Sequence, residues 1–194
     1  VVQAAEKLYK NACLIERGSF RPVTQVNLDM LENAKSQFVN REDVEEENVE
    51  VFMELTLGNL LTEGDIDHND FLARIEVINA CGYGVLVSNY FEYFRLSAFL
   101  RRHINKPIGL VMGLNNLADI FKEEYYSKLD GGILEAFGIL FKDNVKIYAY
   151  PIEQENFERY RKQIGRGDNV ETIGDEDGLV TIDNLLVAQN LRNL

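Results

Sequence analysis

Two short apolar runs, residues 85–87 (VLV) and 108–112 (IGLVM), constrain this chain more than any other feature. Each is too short for a helix, and each is followed by small or polar residues and then by helical periodicity. The pattern predicts strand, turn, helix, twice over. Parallel strands require such a crossover, which brings both strand ends and the helix N-termini after them to one edge of a sheet. Ligands of open α/β sheets bind along that edge. The expected fold is therefore α/β, a three-layer sandwich around a small, mainly parallel sheet.

The rest of the chain is read against that unit. Residues 1–10 carry apolar positions at helical spacing, and the run at 12–15 suits a first strand. Val26, Met30, Leu31, Ala34 and Phe38 describe a helix with Thr24 or Asn27 as its N-cap. Val49, Phe52, Met53, Leu57, Leu60 and Leu61 fall on one helical face, and Leu72, Ile75 and Ile78 on another, so residues 40–80 are expected to form a helical insertion. Beyond the central unit, helices are expected at 116–129 and 133–141. A strand is expected at 145–150, its direction left open, ending at Pro151. Residues 153–178 are charged and glycine-punctuated, which predicts an exposed helix at 157–164 and a flexible loop, and the apolar residues 185–191 are expected to dock onto the core.

At 194 residues, 46% of them apolar, the chain fits a single domain, and because it opens on valine within a helical pattern it is expected to be a fragment of a longer protein. No apolar run approaches the ~20 residues a membrane span needs, and no signal-like h-region opens the chain, so a soluble cytoplasmic domain is expected, with no membrane partner. A net charge of −12 argues against nucleic acid as a partner, since phosphate contacts along a duplex need a concentrated Lys/Arg surface. A small phosphorylated ligand needs only two or three local basic groups. Cys13 and Cys81 have no C-x-x-C spacing and are expected to be buried free thiols. His68 and His103 have no partner at a triad or metal-site spacing, so no metal is expected. Asp65, Asp67, Asn69 and Glu76 fall at calcium-loop positions, but Asp70 stands where the sharp turn needs glycine, and a helix cap is the expected role.

The most specific short pattern is Gly18-Ser19-Phe20-Arg21-Pro22-Val23-Thr24-Gln25-Val26-Asn27. It resembles the first signature of the nucleotidylyltransferase superfamily, G-[ST]-F-x-P-x-[TH]-x-G-H, found at a strand-to-helix turn. Gly113-Leu114-Asn115-Asn116-Leu117 resembles the G-A-D-[NS]-L run of nicotinate-nucleotide adenylyltransferases, and the chain as a whole resembles an uncharacterised bacterial family carrying that label. The resemblance implies ATP or another nucleotide as ligand, with Gly18, Ser19, Thr24 and Asn27 at its phosphates and Ser88 or Asn115 near a second substrate. Val26 and Asn27 replace the final glycine and histidine of the first signature, Asn115 replaces the acid of the second, and a third, arginine-bearing segment is missing.

Independently of any family, Ser88-Asn89 and Asn115-Asn116 each lie between a strand and a helix. Two readings stand: Ser88 and Asn115 cap their helices, or the unpaired N–H groups there hold an anion, with Arg95 completing its shell. The spacing of Phe91, Phe94 and Ala98 predicts core packing rather than base stacking. Two functions of different class follow: a nucleotide- or phosphate-binding domain of nucleotidylyltransferase type, or a noncatalytic domain of a larger protein whose exposed helix face makes a homodimer or an interdomain contact.

Overall fold

Strand β1, Ala12–Arg17, is apolar and buried from Ala12 to Ile15, as a strand covered on both faces must be. The structure, a computed structural model, describes residues 8–62, 65–164, 170–172 and 178–187. After a turn the chain enters α1, Gln25–Val39, whose buried stripe is Met30, Leu31, Ala34 and Phe38. Thr24 is its N-cap in a reciprocal capping box with Asn27.

The helix expected from Val49 onward does not form. Val49–Thr56 is strand β2, paired parallel with β1 from Ala12↔Val49 to Arg17↔Glu54, and only Leu57–Leu60 makes a helical turn. Residues 49–56 read VEVFMELT, and an apolar run this dense satisfies a strand buried on both faces as well as it satisfies a helix. The β-branched Val49, Val51 and Thr56 tilt the balance, and a neighbouring strand with open hydrogen-bonding groups decides it. Residues 40–80 are thus no helical insertion. They supply the second strand of the sheet, a short antiparallel pair, Leu61–Thr62 with Asp65–Ile66, and helix α2, His68–Ala80. Asp67 caps α2, accepting from the N–H groups of Asn69 and Asp70, so the calcium-like spacing is a helix start. The buried positions of α2 are Arg74 and Ile78, while Leu72, expected inside, is 54% exposed.

Strand β3, Gly84–Ser88, pairs parallel with β2, and β4, Ile108–Gly113, pairs parallel with β1 on its other side. Helix α3, Tyr93–Leu100, lies between them in sequence, and Val145–Tyr150 forms β5. The sheet order is β3-β2-β1-β4-β5, so the strand order reverses at β1. Right-handed crossovers then place α1 and α2 on one face and α3 on the other. Side chains bear this out: a β-carbon at Gly109 would meet Leu14 and Phe38 of α1, whereas Arg17 meets Tyr93 of α3. Leu14 and Arg17 are three apart in a strand and so face opposite ways.

The chain divides into two compact units, the first made of residues up to Val111 with Leu140–Tyr148, the second of Met112–Ile139 with residues from Ala149 on. In the second, the long helix expected at 116–129 is interrupted. It forms as α4, Leu114–Ile120, and a 3-10 turn, Glu123–Tyr126, held by the Tyr126 hydroxyl donating to the Ile120 carbonyl. Helix α5, Gly132–Leu140, and helix α6, Gln154–Ile164, follow. Short antiparallel pairs join Ile152–Glu153 to Leu179–Val180 and Val170–Thr172 to Leu185–Val187. The loop expected within 153–178 falls largely on residues 165–169 and 173–177, outside the described residues, as do most of the helix expected at 1–10 and the docking residue Leu191. Among the described residues no helix is long and apolar enough to cross a membrane. Cys13 is buried as expected, but Cys81 is exposed just past the end of α2. Phe94 is buried while Phe91, expected in the core, is 69% exposed, because it precedes α3 instead of lying on its inner face.

Candidate functional site

The parallel strands β1, β2 and β3 deliver their last residues to one edge of the first unit, and three of those residues are charged: Glu16, Arg17 and Glu54. Arg17 and Glu54 occupy the same rung. The Arg17 guanidinium makes a two-pronged contact with the Glu54 carboxylate, its Nη2 at 3.1 Å from Oε1. Nη2 also donates to the carbonyl of Tyr90 at 2.8 Å, and Nη1 to that of Phe91. The Ser88 hydroxyl donates to Glu54 and accepts from the N–H of Tyr90 at 3.3 Å. The ring of Tyr93 lies 4.4 Å from the guanidinium carbon. Glu54 is wholly buried and Arg17 is 10% exposed, so these bonds offset a large desolvation cost. They also fix the loop between β3 and α3.

Glu16, one residue earlier on β1, points to the opposite face of the sheet. It is 1% exposed. Its Oε1 accepts from Asn27 Nδ2 at 2.7 Å, while Asn27 Oδ1 accepts from the N–H and the hydroxyl of Thr24 at 2.9 and 2.7 Å. The Asn27 amide therefore joins the end of β1 to the first turn of α1. Glu16 Oε2 has no hydrogen-bond partner among the described residues. Burial pushes this carboxyl up to about 7, against the opposing pull of the Asn27 hydrogen bond.

The turn between β1 and α1 is fastened from below. The N–H of Gly18 donates to the Glu54 carbonyl at 3.2 Å, and a β-carbon on Gly18 would come within 2.8 Å of the Phe20 ring, which explains the glycine. Phe20 is buried at a positive φ of 45°. Arg74, buried on α2, donates from Nη1 to the carbonyls of Ser19 and Asn59, both at 3.0 Å, and pairs through Nη2 with Asp70. Asp70 also receives Arg21 Nε at 2.9 Å. The guanidinium of Arg74, and then that of Arg21, holds the Asp70 carboxyl below the usual carboxylate range.

Of the residues singled out by sequence, Gly18, Ser19, Thr24, Asn27, Ser88 and Asn89 share this edge of the first unit. Ser88 is not a helix cap: Glu92 holds that position before α3, and the Ser88 hydroxyl belongs to Glu54 and Tyr90. Asn89 is exposed, and Arg95 is turned toward Glu92, 3.1 Å away. Asn115 and Asn116 lie in the second unit, in the first turn of a seven-residue helix whose N-cap is Gly113, so Asn115 is not a cap either. Sequence reasoning passed over Glu16, Arg17, Glu54 and Arg74. The available signal was a charged residue closing or interrupting an apolar strand, visible after Ile15; Glu54 was hidden by the helical reading of β2.

Chemically, the edge offers two buried carboxyl groups with different neighbours. Glu54 is matched by an arginine. Among the described residues no cation pairs with Glu16, which exchanges its proton near neutral pH, the property of a general acid or base or of a titrating gate. Among the described residues no group of three His, Cys, Asp or Glu side chains could hold a metal ion. No protein-family model matches the sequence, and no curated protein matches it.

Proposed function

We propose that this protein binds a nucleotide or another phosphate-bearing small molecule at the turn of residues 18–27, in the manner of a nucleotidylyltransferase-like domain, and does not transfer a nucleotidyl group. The observation that supports it is the position of that turn. It leaves β1 at the point where the strand order reverses and opens the fifteen-residue helix α1. Ligands of open α/β sheets sit outside the carboxyl ends of strands at such a reversal, and the first N–H groups of a helix favour an anion. Transfer is not expected, because Asn27 stands where the resembled signature has histidine. Its amide is neutral and engaged on both sides, by Thr24 and Glu16. A cytoplasmic location goes with this reading, since both cysteines are free thiols.

Thermal denaturation with ATP, a mononucleotide, a sugar phosphate and inorganic phosphate tests it. A compound at ~100 times its Kd adds ~2.7 kcal/mol to the folded state, a clear shift in melting. ATP with a mononucleotide acceptor should release no pyrophosphate. Unchanged melting with all four compounds overturns the binding reading, and steady pyrophosphate release overturns the absence of transfer.

One observation favours the noncatalytic alternative. The polar side chains that fasten the turn, Thr24, Asn27 and Arg74, are bonded within the chain, as in a structural junction. On that reading exposed Leu72 and Val26, on the two helices of one sheet face, mark a homodimer contact, and sedimentation would show a dimer with no response to phosphate compounds.

A further inference from the structure

Resting on the reading of the 18–27 turn as a phosphate site, we propose that Glu16 gates it: the anion is admitted when this carboxyl is neutral and repelled when it is ionised. The geometry is direct. The carboxyl is one amide group away from the N-terminus of α1, since Asn27, its hydrogen-bond partner, is the third residue of that helix and bonds the capping Thr24 through its other end. An ionised Glu16 is itself an anion at the positive end of the helix and competes with any phosphate brought there. A neutral Glu16 leaves that end to the ligand.

Apart from the N-terminus of α1, which favours the carboxylate, the surroundings favour the neutral form. On the rung of Glu16 the neighbouring strands present Met53 and Val111, both apolar and buried. From α1 it receives the uncharged amide of Asn27. Tyr83, ahead of β3, is within electrostatic reach and is itself pushed up by burial and then by Glu32, Cys81 and Glu16, so it adds no positive charge. Arg17 and Glu54 lie on the opposite face and are paired with each other. No described cation pairs with Glu16, and its second oxygen is unpartnered in a residue 1% exposed. With the carboxyl titrating at about 7, a ligand that requires the neutral form binds about tenfold more weakly at pH 8 than at pH 6.

Calorimetric titration with ATP and with inorganic tripolyphosphate, at pH 6 and pH 8, on the wild type and on Glu16→Gln, tests the gate. Glutamine keeps an acceptor for Asn27 and cannot ionise. Ionisation of the phosphates themselves is common to both proteins, so the ratio between them isolates Glu16. The expected result is an extra, roughly tenfold weakening of the wild type at pH 8, absent in the variant. The same pH dependence in both proteins overturns the gate and leaves phosphate binding standing; no binding by either protein at either pH overturns both. A readout that does not depend on the variant is the side-chain carboxyl carbon resonance of Glu16 in the wild type. Its titration midpoint should rise when tripolyphosphate saturates the protein, and an unmoved midpoint in the presence of binding overturns the gate.

Discussion

Glu16 and Glu54 stand on adjacent strands, and what separates them is an arginine. For Glu16 the folded carboxyl titrates at about 7, above the ordinary 4.5 of the unfolded chain, so the folded state holds its proton longer. Stability is then fully present below about 4.5 and is lost as the pH rises toward 7, because the unfolded chain ionises first. The difference amounts to about 3 kcal/mol. Urea denaturation at pH 5 and pH 8 should show most of that loss in the wild type and little of it in Glu16→Gln; equal losses in both would assign it to other groups. For Glu54 the logic inverts. Arg17→Met leaves a fully buried carboxylate with only Ser88, and should cost ~3–5 kcal/mol. Adding Glu54→Leu removes the stranded charge and should recover most of it. A cycle in which the double variant is as unstable as the single ones added together would mean that the pair is not coupled.

Strand β2 shows how an element is decided by its neighbour. Six of its eight residues are apolar or β-branched, and the central position between β1 and β3 uses both faces. On β4, side chains of the neighbouring strands and of α1 converge so closely on one position that it is a glycine. A β-carbon on Gly109 would lie 2.6 Å from Leu14 Cδ1, 2.9 Å from Tyr148 Cε2 and 3.3 Å from Phe38 Cδ2. Gly109→Ala should therefore cost ~1–3 kcal/mol by overpacking, in spite of alanine's lower entropic cost in a strand. Denaturation midpoints of this variant measure it. An unchanged or raised midpoint would show that Leu14, Tyr148 and Phe38 can give way without loss.

The whole molecule carries a net charge of −12, and a compact anionic chain repels itself. At pH 8, raising sodium chloride from ~0.01 to ~0.2 M shortens the screening length and should raise the melting temperature; a fall would mean that surface ion pairs such as Arg21–Asp70 outweigh the general repulsion. What the sequence determined at this scale is the α/β class. Short apolar runs followed by amphipathic helices admit few other solutions, and the bounds of β3, β4 and β5 follow from turn residues and Pro151. It also narrowed the start of α1 to Thr24 or Asn27, and the local chemistry between them made the first the cap and the second its capping-box partner. It could not determine β2, since a dense apolar run has no period of its own, nor the true burial of Leu72 and Phe91, which depends on which face meets a neighbour. The candidate site was half legible. Gly18, Ser19, Thr24, Asn27 and Ser88 could be read as turn residues, but Glu54, which binds Ser88, is 34 residues from it, Arg74 is 55 residues from Ser19, and Arg17 is 37 residues from Glu54. Such pairings are set by strand order and register. Only the parallel alignment of β1 with β2 puts Glu54 on the rung of Arg17, and only a buried rung between Met53 and Val111 makes Glu16 a carboxyl that holds its proton near neutral pH.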